Sequence, residues 1–227
     1  DITYSFYDVW ADMLRIPYEQ LPLSDDFSIV PSDYYKANGG VVFPNPNAPT
    51  GKLMSLDEIE DIIEHNQDVI VVVDEAYVDF GGESALPLID KYDNVIVVQT
   101  FSKSRALAGS RVGFAMASPV LIKYLNDVKY SFNSYTMDRI TIEAATAAVK
   151  DRAYFEETTA KVIKTREWTR QSLRDLALHS VTQRATLYLQ SLQMFLQQSF
   201  LRTLRQTIYL SDISAHLSES TTICEYP

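Results

Sequence analysis

The sequence predicts an α/β fold: a mostly parallel sheet with helices on both faces, forming three layers. Three observations carry the prediction. Short β-branched runs recur without polar alternation, a capped amphipathic helix separates the first two, and helical periodicity takes over after residue 118. Strands buried on both faces read this way, and they belong to parallel sheets covered by helices.

The elements follow in order. Val41-Val42-Phe43 is the first run, Val69 to Val73 the second and Val95 to Val98 the third. Between the first two, Ser55-Leu56-Asp57-Glu58 has the form of a capping box. Ile59, Ile62 and Ile63 follow at helical spacing, and the acidic first turn suits the helix dipole. A fourth strand is expected at Val112 to Ala117, reached through the turn-forming Gly109. Helices are expected over 118–130, 136–150 and 152–178, the last with an apolar stripe of Phe155, Val162, Ile163, Trp168, Leu173 and Leu176.

Composition narrows the function. A chain of 227 residues with 46% hydrophobic and 22% charged residues is long enough for a sizeable core and is neither disordered nor fibrous. Its net charge of −10 excludes a general phosphate-backbone binder, so nucleic acid is not an expected partner. No aliphatic run approaches the roughly 20 residues of a membrane helix, so no membrane is expected. Cys224 stands alone, which permits no intrachain disulfide and fits a reducing, cytoplasmic setting. His65, His179 and His216 lack ligand spacing, so no metal is expected. The chain opens at Asp1 in what reads as mid-domain sequence, and all seven glycines lie between Gly39 and Gly113.

The chemistry-bearing residues follow the buried runs, where open α/β sheets bind ligands. Asn45-Pro46-Asn47-Ala48-Pro49-Thr50-Gly51 follows the first, Asp74-Glu75-Ala76-Tyr77 the second and Thr100-Phe101-Ser102-Lys103 the third. Asp74 ends five aliphatic residues, where an unpaired negative charge is costly, and a protonated ring nitrogen would offset that cost. An amine at Lys103, partly desolvated beside Arg105 or Arg111, is a nucleophile toward a carbonyl. An acid for a pyridinium and a lysine for an aldehyde are what pyridoxal phosphate chemistry asks of a protein. Ser102 and Arg111 suit a phosphate monoester, Tyr77 and Asn47 a phenolate oxygen, and Tyr4 the flat face of a ring. Taken singly, each has a plainer reading as a turn former, surface charge or core aromatic. Their joint order is what lifts them.

At these motifs the sequence resembles the class I/II, fold type I pyridoxal phosphate aminotransferases, and within them the histidinol-phosphate branch. The phrases are Asn45 to Gly51, Val73-Asp74-Glu75-Ala76-Tyr77-Val78-Asp79-Phe80 and Thr100 to Gly113, with Thr3-Tyr4-Ser5-Phe6-Tyr7 similar to the ring-stacking segment. The resemblance implies Lys103 as the residue that bonds to the cofactor aldehyde and moves the proton, and Asp74 as the partner of the pyridine nitrogen. It also implies Asn47 and Tyr77 on the 3′ oxygen, Ser102 and Arg111 on the phosphate, and Tyr4 on the ring. The implied reaction moves an amino group between histidinol phosphate and 2-oxoglutarate, in a homodimer. An aromatic aminotransferase, a threonine-phosphate decarboxylase and a non-catalytic remnant of the fold are the competing readings.

The resemblance covers residues 1–177, read as a partial cofactor-binding large domain that includes the start of a long connecting helix. Family members carry a further segment ahead of Asp1, so the chain reads as truncated there. Residues 178–227 read as an atypical segment in place of the small domain, or as the product of a disrupted reading frame. From His179 on there is no Lys and no Gly, and Arg184, Arg202 and Arg205 stand outside the family's context.

Overall fold

A computed structural model describes residues 1–175 of the chain, with side chains through residue 172. Helix α1 (Phe6–Leu14) precedes a single 3-10 turn at Pro31–Tyr34, then strand β1 (Val41–Pro44) and helix α2 (Leu56–Glu64). Strands β2 (Val71–Asp74), β3 (Val95–Thr100) and β4 (Gly113–Ala117) follow, and then helices α3 (Pro119–Phe132), α4 (Arg139–Lys150) and α5 (Arg152–Asp175). The four strands form one sheet in the order β1-β2-β3-β4. The β1–β2 and β2–β3 pairs are parallel, and β4 returns antiparallel against β3.

The elements form where their residues dictate. Ser55 caps α2: its hydroxyl accepts from the Glu58 amide while the Glu58 carboxylate accepts from the Ser55 amide at 2.7 Å. This reciprocal cap sets the register that turns Ile59, Ile62 and Ile63 inward, each 0% exposed. They pack with Val41, Phe43, Val71, Val73, Val95 and Val97 in one continuous core. Between β2 and β3 the chain crosses over through short 3-10 turns at Val78–Phe80 and Leu86–Asp90, and Leu88 adds to the same core.

The expectation of strands buried on both faces is met unevenly. The α2 face is closed, and on the opposite face burial rises across the sheet, from Val42 of β1 at 45% exposed to Ile96 of β3 at 7%. Successive side chains of a strand alternate between faces, so a β-branched run does not reveal which face is covered.

The stripe expected on α5 is also shifted. Phe155, Val162 and Ile163 are half-buried, but Trp168 is exposed, and the closed face carries Thr159, Arg166 and Thr169 instead. Arg166 causes the shift by reaching under the 3-10 turn to donate from Nη1 to the Phe80 carbonyl at 2.8 Å. Val162 packs beside it on Ala48, Tyr77 and Phe80. The expectations for Leu176 and for residues 178–227 lie outside the described residues, as does the side chain of Leu173.

Ile62→Ala would open a cavity under the closed face of the sheet. It is expected to lower the unfolding free energy by about 2–5 kcal/mol, measured by denaturant titration. Ile70→Ala, at a residue 41% exposed, should change it by less than about 1 kcal/mol.

Candidate active site

The sheet continues past its strands, and that continuation assembles the site. The Asn45 amide donates to the Asp74 carbonyl at 2.9 Å, and the Glu75 amide donates to the Val98 carbonyl at 2.8 Å. Three segments of irregular chain therefore leave β1, β2 and β3 side by side. The first is pinned by Asn45, 1% exposed, whose side-chain amide donates to the Met54 carbonyl and accepts from the Met54 amide. Within that loop Gly51 takes φ +72°, open to glycine at little cost, as its amide turns back to the Asn47 carbonyl at 2.7 Å.

Asn47 is 1% exposed. Its Nδ2 donates to the Ile2 carbonyl and to Thr50 Oγ1, each at 3.0 Å, and its Oδ1 accepts from Thr3 Oγ1 at 3.1 Å. The amide thus draws the N-terminal segment onto the strand ends. That segment brings Tyr7, whose hydroxyl donates to Asp74 Oδ2 at 2.7 Å. Tyr4 lies edge-on to Tyr7, with ring centres 5.5 Å apart, and is 43% exposed.

Lys103 and Tyr77 meet directly, with the lysine Nζ 4.8 Å from the centre of the Tyr77 ring. The chain on the C-terminal side of Lys103 is anchored. Ser104 Oγ donates to the Asp79 carboxylate, while the Arg105 guanidinium lies 3.6 Å over the Phe155 ring and donates to the Ala148 carbonyl at 2.9 Å. A cavity of about 200 Å³ beside this anchor is lined by Ser104, Arg105, Asp151, Tyr154 and Phe155 among others, and holds none of the candidate residues.

The Ser102 amide donates to Thr100 Oγ1 at 3.1 Å, and Thr100 Oγ1 in turn donates to the Val112 carbonyl at 3.2 Å. This ties the start of the lysine loop to the end of the Arg111 turn. Arg111 itself is exposed, has φ +54°, and donates from Nη1 to the Ala108 carbonyl at 2.9 Å. A left-handed arginine costs on the order of 1 kcal/mol, and such outliers gather at functional positions.

The structure therefore joins Asn47, Asp74 and Tyr4 through the N-terminal segment, Lys103 with Tyr77, and Ser102 with the turn that carries Arg111. Sequence reasoning passed over Thr3, Tyr7 and Glu75. Tyr7 stands three residues after Tyr4, one helical turn, which is the signal that could have found it. Glu75 is 1% exposed and accepts from Ser84 Oγ at 2.7 Å, the Ala85 amide at 2.6 Å and Gln99 Nε2 at 2.8 Å. It locks the crossover chain to β3 from the position next to Asp74 in the chain.

The mostly parallel sheet thus carries an acid at the end of one strand and an anchored lysine past the end of the next. The sequence profile of the class I and II aminotransferases matches residues 1–222, and the chain belongs to that family. It is 54% identical over 167 residues to a histidinol-phosphate aminotransferase of Lactococcus lactis subsp. cremoris, covering 74% of this chain and 47% of that protein. A Hydrogenovibrio crunogenus relative of the same name is 46% identical over 226 residues, covering 100% of this chain and 60% of its own length. The chain spans about half the length of most of the curated relatives it matches. Among solved structures, the histidinol-phosphate aminotransferase from Sinorhizobium meliloti in complex with pyridoxal 5′-phosphate superposes with a TM-score of 0.68 at 26% identity, over 79% of this chain and 51% of that one. The Clostridium acetobutylicum enzyme of that name shares the fold, with a TM-score of 0.73 at 20% identity over 81% and 57%.

Burial is the largest influence on Glu75 and raises its carboxyl above the usual range, against its Ser84, Gln99 and Ala85 donors and with a smaller push from Asp79. The folded state therefore holds a proton there that the unfolded chain releases near the ordinary glutamate value. The resulting stabilisation is complete below that value and is lost as pH rises through the folded one. Relative to Glu75→Gln, the natural chain is expected to lose stability as pH climbs from 4 through the raised value, measured by denaturant midpoints across that interval.

Proposed function

We propose that the chain is the cofactor-binding portion of a pyridoxal phosphate-dependent aminotransferase that exchanges an amino group between histidinol phosphate and 2-oxoglutarate. The observation that carries this reading is the placement of a carboxylate and an amine at adjacent parallel strand ends. Asp74 pairs with Val98 in the register of β2 and β3, and Lys103 follows Thr100 at the end of β3. The choice of amino donor rests on the names of the relatives. The same reading makes residues 1–177 the large domain and 178–227 a segment in the place of the small one. It also implies a homodimer acting in the cytoplasm. No helix among the described residues is long and apolar enough to cross a membrane.

The donor set fits the cofactor. Asp74 makes no ion pair among the described residues, so its charge remains available to a protonated ring nitrogen. Lys103 is half-buried against an aromatic face and makes no ion pair among the described residues, which leaves its amine available to an aldehyde. Tyr4 would cover the ring, and Tyr77 and Asn47 would hold its oxygen. For that, the Asn47 amide would exchange its bond to the Ile2 carbonyl for one to the cofactor. Ser102 and Arg111 would take the phosphate. When bound, the cofactor supplies an electron sink for the carbanion formed as the substrate loses its α-proton. Lys103 would carry that proton to and from the substrate carbon, and Asp74 would hold its own charge in place meanwhile.

Pyridoxal phosphate added to the purified chain is expected to produce a visible absorbance band that Lys103→Ala abolishes. Absence of the band would refute the reading. With the band present, single-turnover conversion should be faster with histidinol phosphate than with phenylalanine, and equal rates would favour an aromatic aminotransferase.

A further inference from the structure

Asp74 is approached from two sides. Oδ2 accepts from the Tyr7 hydroxyl at 2.7 Å, and Oδ1 accepts from the Ala76 amide at 3.1 Å. One donor on each oxygen fixes the plane of the carboxylate and leaves lone-pair capacity for a third partner. Neither donor is charged. A lysine or arginine in Tyr7's place would satisfy the carboxylate and repel a cationic ring, whereas a phenol steadies the anion without cancelling it.

The phenol is itself held in place. Tyr7 packs edge-on to Tyr4 and lies 5.9 Å, centre to centre, from Trp10 one turn along α1. Burial, then the charge of Asp74 and the hydrogen bond to it, raise the Tyr7 hydroxyl far above the ordinary tyrosine range, with a small further push from Tyr4. It remains a donor at every pH at which the protein would work.

We propose that Tyr7 is the positioning residue of Asp74, aiming the carboxylate at the cationic nitrogen of a bound pyridine ring and coupling that aim to the seat of Tyr4 on the ring face. The proposal rests on the cofactor reading above. It differs from a packing role for Tyr7 because it requires the hydroxyl, and because it acts only through Asp74.

The test compares Tyr7→Phe, Asp74→Asn, the double substitution and Trp10→Phe in the full chain, reading pyridoxal phosphate affinity and the pH midpoint of the bound cofactor's absorbance. Tyr7→Phe should weaken binding roughly five- to tenfold. A carboxylate free to turn away leaves the ring nitrogen less often protonated. The proton on the lysine-linked nitrogen then meets less repulsion, so the midpoint should move up by about half a unit or more. In the Asp74→Asn background the same substitution should change neither quantity, and Trp10→Phe, which loosens the packing but keeps the hydroxyl, should leave the midpoint in place.

A Lys103-dependent band that Tyr7→Phe leaves unaltered overturns this inference alone. So does an equal effect of Tyr7→Phe with and without Asp74, or a midpoint shift in Trp10→Phe matching that of Tyr7→Phe. Absence of the band in the unsubstituted chain overturns the cofactor reading and this inference with it.

Discussion

The site depends on two backbone hydrogen bonds that extend the sheet beyond its strands. Asn45 to Asp74 and Glu75 to Val98 carry the parallel ladder one step past β1 and β2. Parallel strands all present their carboxyl ends on one edge, so the chain that leaves them emerges along a single line. Those two bonds hold the chain leaving β1 against Asp74 and the chain leaving β2 against β3. Each of these two segments starts from a fixed neighbour, and the remaining polar contacts only have to settle side chains.

Those contacts share one property: the side chains that support the site are satisfied within the protein. Asn45 is closed on Met54, and Glu75 on Ser84, Ala85 and Gln99. A buried polar group left unmade would cost on the order of 1–3 kcal/mol, so a closed set of this kind favours one arrangement of the loops over its alternatives. Asp74 and Lys103 are different. Asp74 is steadied by neutral donors and Lys103 by an aromatic face, and both keep the capacity to meet something else.

Much of this was legible in the sequence because the physics is local. The β-branched runs and the Ser55 capping box gave the strands and α2 to within about two residues, and the polar clusters after the runs located the strand ends. What escaped was set by contacts distant in the chain. Helix α1 has no fully buried residue, so its apolar positions point to no core, and its sequence offers only the three-residue spacing from Tyr4 as a sign that Tyr7 meets a residue 67 positions away. Trp168 misled for the complementary reason: hydrophobicity favoured burial, but Arg166 had a carbonyl to satisfy at Phe80 and took the closed face. The antiparallel return of β4 was equally invisible, since strand direction is fixed by where the Arg111 turn sends the chain rather than by composition.

The two anchors beside Lys103 have a mechanical consequence. Ser104 is tied to Asp79 on the turn after Tyr77, and Arg105 is laid across Phe155 where α4 hands over to α5. The main chain on the C-terminal side of the lysine is therefore clamped to two separate parts of the fold. The amine can travel only by turning its own four-carbon stem, so its sweep is a short arc about a stationary pivot. A lysine mounted in that way can swing its amine without the loop having to move.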